Sequence, residues 1–276
     1  MSMIEQLNTD ASNRTMFFTL WFKQLDKNNA DRLINGVGKD YKYLLKRIRK
    51  LRKYTLSEAE EKVINLKDIS GESALDKIYS IITNNFVYEL NIKGKKKKLT
   101  REELTSYAKN TNHKVRKNSY QSLYGVYEKN KDVLNEIYRS LIIDWRNEGI
   151  ILRKHKSPIS IRNISNDASD RAIETMLNVC RKNRKVFQGY LKLKAKLCKI
   201  NNMQRYDIYA PYSSKEKKYD YRKSKKLVLE AYRNYSDEMY NLAKKLFDEN
   251  HIHYKIQKGK VGGAYCMNVP PGSVPY

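Results

Sequence analysis

Chemistry at neutral pH rests on a short set of side chains, chiefly imidazoles, thiols and closely placed carboxylates. This chain has four histidines, His113, His155, His251 and His253. None opens an H-E-x-x-H run, the spacing that puts two zinc ligands on one helix face with a glutamate base between them. His251 and His253 would share one side of a strand, but no third metal ligand is implied by spacing. The three cysteines, Cys180, Cys198 and Cys266, are odd in number and far apart, with no C-x-x-C. They indicate neither a disulfide framework nor a zinc knuckle, and are expected as buried, reduced thiols. Nothing near Cys266 would serve as a base to make it a nucleophile. The phosphate-cradling G-x-x-x-x-G-K-[ST] is absent, although Gly94-Lys-Lys has its tail, and so is G-x-S-x-G. No catalytic residue and no metal ligand is assigned.

The composition changes abruptly near the end. Four of the 11 glycines lie between Gly259 and Gly272, and three of the five prolines are Pro270, Pro271 and Pro275. Glycine lets another backbone approach closely and proline stiffens the chain around it. Gly262-Gly263, flanked by Val261, Ala264, Tyr265 and Cys266, reads as a short strand that something packs against or pairs with.

The elements before it are mostly helical. Apolar residues at three- to four-residue spacing mark helices over 2–25, 30–38, 40–54, from Ser57 onward, and over 73–84. Phe86–Ile92 alternates and Gly94 comes next, giving a small β-hairpin over about 86–99 with Lys95–Lys98 at its tip or second strand. Thr100-Arg-Glu-Glu103 is a capping box, and helix continues to about Lys154, with Gly125 and Asn130-Lys131 as plausible breaks. Ser157-Pro158 reads as a loop. Helices follow over 168–184, capped by Asn166-Asp167, and over 186–200. Tyr206–Pro211 is irregular, because a residue before proline avoids the helical region. Two more helices run over 222–234 and 236–250, and a short strand region covers about 251–268. The expected fold class is mainly α: a multi-helix chain with one hairpin and that terminal strand region.

With 276 residues and 40% apolar composition the chain can bury a core. No apolar run approaches the ~20 residues of a membrane span and no signal peptide is visible, so a soluble, cytoplasmic protein without membrane contact is expected. Lys and Arg total 56 against 30 Asp and Glu, a net charge of +26. Such charge binds nucleic acid non-specifically and attracts acidic partners. The basic residues are spread through almost every helix; the best nucleic-acid candidate is Asp40–Tyr54, with Tyr41, Leu44, Leu45, Ile48 and Leu51 as its core face. A solvated helix face is the favoured reading of it.

Several segments resemble the oligoendopeptidase F family of zinc peptidases, in that family's order. They are Phe86–Leu104, Val115-Arg116 with Ser119-Tyr120 and Asn130, Ser157–Asn166, Leu193-Lys-Ala-Lys-Leu197, Arg205-Tyr-Asp-Ile-Tyr-Ala-Pro211, Lys258–Cys266 and Val274-Pro-Tyr276. The resemblance implies an N-terminal helical lobe over 1–155 and the start of a catalytic lobe over 156–276, truncated before the zinc-binding helix. It implies zinc as the family's cofactor, with none expected to bind this chain alone, which is then expected to be inactive. Implied partners are short peptides, a second polypeptide carrying the zinc-binding half, and a further copy of the chain. It also suggests that Gly262, Gly263, Ala264 and Tyr265 line the peptide groove by pairing with an extended substrate. Close packing of the glycines against catalytic helices is the equal alternative. Two further readings stand beside the peptidase: a basic helical nucleic-acid-binding protein and a non-catalytic peptide-binding scaffold.

Overall fold

The computed structural model describes residues 3–212, 219–257, 260 and 262–263. Their contacts divide the chain into two compact units, one built from residues 1–82 and 130–185, the other from 83–129 and 186–276.

The first unit opens with α1 (Met3–Gln24), α2 (Lys27–Gly36) and α3 (Lys39–Lys50), followed by a 3-10 turn at Arg52–Tyr54. Phe22, Ala30, Ile34 and Leu45 form its core, with Leu25, Leu33, Val37 and Ile48 packed against them. The three- and four-residue spacing of Ala30, Leu33, Ile34 and Val37 makes α2 amphipathic, and burying that stripe holds the short helix in place. In α3 the stripe is narrower than expected: Leu45 is buried, but Tyr41 and Leu44 are exposed. The other side of α3 is exposed, and part of it is also engaged. Arg49 donates to the carbonyls of Phe22 (3.2 Å) and Lys23 (2.6 Å), the orphan acceptors at the end of α1. Tyr43 donates to Asp167, Lys50 lies 3.0 Å from the same carboxylate, and Arg47 donates to the carbonyl of Ser165 at 2.9 Å. The helix singled out as a nucleic-acid candidate thus commits much of its charged face to the chain's own 165–167 turn.

Two helices follow, α4 (Glu58–Ser70) and α5 (Glu72–Asn84). A capping box of Ser57 and Glu60 starts α4. On returning to this unit the chain forms α8 (Lys131–Trp145), which runs directly into a π-helical segment, Arg146–Leu152. Gly149 lies buried in that segment, and a Cβ there would fall 2.2 Å from the Ile161 Cδ1, so any larger residue would have to displace the end of that side chain. Ser157-Pro158, expected as a loop, instead opens α9 (Pro158–Ser165). Ser157 caps it and Pro158 occupies its first turn, where the missing N–H costs nothing. Ser160 and Asn163 on α9 both donate to Asp170 at 2.8 Å, tying it to α10 (Asp170–Lys182). The cap of α10 is Ser169, not Asn166-Asp167, because Asp167 is held by Tyr43 and Lys50 at a positive φ of 52°. Cys180, expected as a buried thiol, is exposed, as are Met176 and Leu177, and α10 buries no residue fully.

The second unit contains the hairpin, β1 (Tyr88–Ile92) and β2 (Lys95–Leu99), antiparallel, with Tyr88 opposite Leu99 and Ile92 opposite Lys95. Its two-residue turn, Lys93-Gly94, has φ of 51° and 78°, the paired positive values that match the strand twist. The four lysines are therefore the second strand. Tyr88, Leu90 and Leu104 are the buried core of this unit, with Phe86, Leu123, Val126 and Tyr127 packed around them. Thr100 and Glu103 form the expected capping box for α6 (Arg101–Ser106). Next comes α7 (His113–Lys129), which runs through Gly125 unbroken and stops before Asn130. Then follow α11 (Arg184–Leu197), α12 (Tyr221–Tyr235) and α13 (Asp237–Asp248), the last two packed as a pair with Lys225 3.0 Å from Asp248. The described part of 251–268 forms no strand: its alternation finds no ladder partner among the described residues, and a strand's N–H and C=O groups need one. The fold is mainly α with one small hairpin.

Candidate functional site

Three of the segments that carry the resemblance, those around Val115–Tyr120, Leu193–Leu197 and Arg205–Pro211, meet in the second unit. Arg205–Asp207 is a 3-10 turn, and Asp207 is completely buried. A lone carboxylate in that position is tolerated only if every lone pair finds a donor. Oδ1 accepts from Arg116 Nη2 at 2.6 Å and Nε at 3.2 Å, and lies 3.1 Å from His113 Nδ1. Oδ2 accepts from the Gln204 amide at 3.1 Å. Arg116, itself buried, spends Nη1 on the carbonyls of Asn110 (2.8 Å) and Thr111 (3.0 Å). Burial pushes the Asp207 carboxyl up, but Arg116 and the Gln204 N–H outweigh it and hold the group below its ordinary range. His113 and Arg116 stand three apart on α7, so one helix face presents both to the turn.

The far side of the loop is fastened by α11. Lys194 is buried and donates to the carbonyl of Ile208, with its ammonium 5.0 Å from the centre of the Tyr212 ring. Tyr190 and Tyr212 share a 2.7 Å hydrogen bond. Cys198 Sγ lies 3.7 Å from the Pro211 carbonyl, a structural position rather than a reactive one. The Tyr206–Pro211 loop is thus clamped from both helices. Tyr206 packs its ring against His113 and Tyr120, and Tyr209 and Tyr212 remain exposed. The arrangement fixes a rigid, aromatic-edged loop. It contains no nucleophile with an oriented base.

Of the proposed groove residues, Gly262 and Gly263 are both exposed, and Ala264 and Tyr265 lie outside the described residues, as does Cys266. A Cβ at Gly262 would sit 2.3 Å from Glu102 Oε1, so the chain passes very close to α6. Gly263 has a φ of 134°, which favours glycine, and open space where a Cβ would be.

Residues 21–88 match the family profile described as Oligopeptidase F, of the N-terminal M3 peptidase class. Oligoendopeptidase F of Lactococcus lactis subsp. cremoris is 26% identical over 180 residues, covering 65% of this chain and 30% of its own. The oligopeptidase PepF of Bacillus subtilis is 23% identical over 277 residues, covering 98% of this chain and 41% of its own. The solved oligoendopeptidase-F of Enterococcus faecium superposes with a TM-score of 0.65 at 20% identity, over 90% of this chain and 47% of that one. PZ peptidase A gives 0.69 at 15% identity, over 98% and 48%. The chain is related to the N-terminal part of oligoendopeptidase F. It spans less than half the length of these relatives.

Within this oligoendopeptidase F-like chain the described histidines are not gathered into a zinc site. His113 serves Asp207, His155 stacks on Tyr54 at 3.7 Å, and His251 lies 2.8 Å from Glu249. The described residues therefore do not fit a catalytic zinc, which needs about three protein ligands around one open position. One group of carboxylates among the described residues could hold a cation, Asp68, Asp144 and Glu148 in the first unit, with ligand oxygens all within 4.8 Å of one another. Burial, then Glu148 and Asp144, pushes the Asp68 carboxyl up to about 6. An all-oxygen set of this kind suits a hard cation rather than zinc, and acids this close also occur without any ion. Sequence reasoning missed this cluster and the role of Asp207. For Asp207 there was a signal, a single acid in an otherwise aromatic and apolar loop; for the cluster there was none.

Proposed function

We propose that these residues serve as the N-terminal part of a zinc-dependent oligopeptidase that hydrolyses short peptides in the cytoplasm. Water adds across the scissile amide, the C–N bond breaks, and a carboxylate and an amine leave. The zinc and its base come from residues beyond these 276, in the same polypeptide or a second one, and these residues alone are inactive. Their contribution is positional: the clamped Tyr206–Pro211 loop and the glycines at 262–263 would border the peptide, with Gly262 to Tyr265 offering backbone to an extended substrate. Residues 1–155 would form the helical lobe and 156–276 the beginning of the catalytic lobe, and a second copy of the chain is a further partner. The observation that supports this reading best is the agreement of sequence with an oligopeptidase over 98% of the chain, and of fold with a solved oligoendopeptidase-F over 90% of it.

A quenched fluorescent peptide tests it. The 276-residue chain with added zinc should leave the peptide intact. The same chain completed by a polypeptide carrying H-E-x-x-H from a relative should cleave it, and a chelator should stop the cleavage. Cleavage by the chain alone would overturn the inertness, and a folded, completed protein that binds zinc but cleaves nothing would overturn the peptidase reading.

A further inference from the structure

In the first unit α1 packs against α3 and α4 and buries Leu20 and Phe22. Another side of the same helix is left bare. It shows Met3, Leu7, Phe17 and Trp21 to water, at 87, 66, 63 and 48% exposure. Asp10 and Arg14 lie on the same line, and Arg14 is exposed as well. The six positions advance by four, three, four, three and four residues, the 3.5-residue period of a coiled-coil seam. Single exposed apolar residues are ordinary on a surface, but four large ones in line along a 22-residue helix mark a face that something covers.

The order of residues along the line says what covers it. Lay two copies of α1 antiparallel, crossing at the level of residue 12. Met3 of each copy then stands opposite Trp21 of the other, Leu7 opposite Phe17, and Asp10 opposite Arg14. Every apolar residue meets an apolar one and every charge meets its opposite, each twice, as a two-fold interface requires. The two helix dipoles also run in opposite directions. A parallel pair would instead set Asp10 against Asp10 and Arg14 against Arg14, so the residues that fix the register also exclude that arrangement. The helix suits self-association in its charge too. Glu5 and Asp10 balance Arg14 and Lys23, which leaves α1 neutral in a chain of net charge +26. In α3, by contrast, six basic residues face a single acid, and two such helices would repel each other.

We propose that the chain self-associates through α1, two copies meeting antiparallel along the line from Met3 to Trp21, with the Asp10–Arg14 pairs setting the register. Phe18 flanks the line and stacks its ring 5.9 Å from that of Trp21, which widens the apolar strip. One pair of 22-residue helices is small beside the ~800 Å² per partner of a standard interface, so the dimer is a reversible one of roughly micromolar affinity. The proposal gives the second copy considered above a surface and a register, and it does not depend on the peptidase chemistry.

Sedimentation equilibrium of the 276-residue chain over roughly 1–200 μM tests the assignment. The chain should pass reversibly from monomer to dimer. Phe17→Ser should weaken the dimer about tenfold or more, while Phe187→Ser, at a 61% exposed phenylalanine on α11, should leave it unchanged. Asp10→Arg sets Arg against Arg and Arg14→Asp sets Asp against Asp, so each variant alone should also lose about tenfold or more. An equimolar mixture of those two variants restores both opposite-charge pairs and should dimerise as the native chain does. All of these changes lie outside the buried core, and circular dichroism verifies that each variant is folded. A monomer at every concentration would remove both the surface and the second copy. A dimer that survives Phe17→Ser would keep the second copy and overturn the α1 surface. A mixture of folded Asp10→Arg and Arg14→Asp that associates no better than its parts would overturn the antiparallel register.

Discussion

Arg116→Met is the sharpest test of how the second unit is held together. The substitution removes the guanidinium and keeps most of the stem's volume, so packing changes little. Asp207 loses two of its four contacts, and the carbonyls of Asn110 and Thr111 lose their donor. With Asp207 fully buried and Arg116 3% exposed, water cannot replace what is lost. Breaking a buried pair by removing one partner costs about 3–5 kcal/mol, most of it from the charge left behind. Arg116→Lys should recover only part of this, because an ammonium cannot reach the carboxylate and both carbonyls in the same geometry. Replacing both members, Arg116→Met with Asp207→Leu, should be milder than Arg116→Met alone.

The chain's two tryptophans, Trp21 and Trp145, both lie in the first unit. Tryptophan fluorescence therefore serves as an internal control, while hydrogen exchange of the α7 amides reads the second unit directly. Arg116→Met should lower α7 protection by several kcal/mol and leave the urea midpoint of fluorescence nearly unchanged. pH adds an independent sign. In the native chain the Asp207 carboxyl lies below its unfolded value, so its stabilisation is complete above the ordinary carboxylate range and is lost as pH falls below about 4. In Arg116→Met the unpaired, buried carboxyl should titrate above its unfolded value, so protection should rise as pH is lowered from 7. A loss under about 1 kcal/mol, or a variant with the native pH trend, would refute the claim that this pair governs the loop.

Ser57→Ala removes one half of the α4 capping box and should cost about 1 kcal/mol, read as a shift in the urea midpoint of tryptophan fluorescence. Asp68→Asn should raise the melting temperature of the first unit at pH 8, because the native carboxyl titrates near 6 and its charge is unfavourable there; the gain should shrink as pH falls below about 6 and vanish only below about pH 3, where folded and unfolded chains are both protonated. Gly94→Ala should destabilise the hairpin by about 1 kcal/mol, since its φ of 78° favours glycine, and exchange of the β1 amides measures it. In a completed, active peptidase Gly263→Ala should raise KM and leave kcat unchanged if the glycines border the substrate; an unchanged KM in a protein of native stability would sink the groove assignment.

Features carried by local pattern were legible in the sequence. The Thr100 capping box, the helix start at Ser57, the hairpin and most helices depend on residues within about four positions of each other, which is the range that periodicity and capping rules describe. Ser157-Pro158 misled because the same pair that ends one helix also starts the next. The polar residues that matter most could not be read this way. Arg116 and Asp207 are 91 residues apart, Arg153 and Glu61 are 92 apart, and Tyr43 and Asp167 are 124 apart. Each looks like an ordinary surface charge until the fold brings its partner in. Apolar periodicity also overstated burial, as Tyr41, Leu44 and Met176 show.

The distant pairs also bear on where function sits in this chain. A buried charge pair is a costly way to hold a loop, since well-packed apolar residues of similar volume often do it as well or better. What the pair adds is a single allowed geometry: Arg116 reaches Asp207, Asn110 and Thr111 together in one placement of the turn. A loop that only closed the surface would not need that degree of definition. Tyr209 and Tyr212, which the clamped loop leaves exposed, are then the side chains whose position is being set. Tyr209→Ala in a completed peptidase should change KM for peptides more than it changes folding stability. Equal stability with unchanged kinetics would mean that the clamp serves the fold alone.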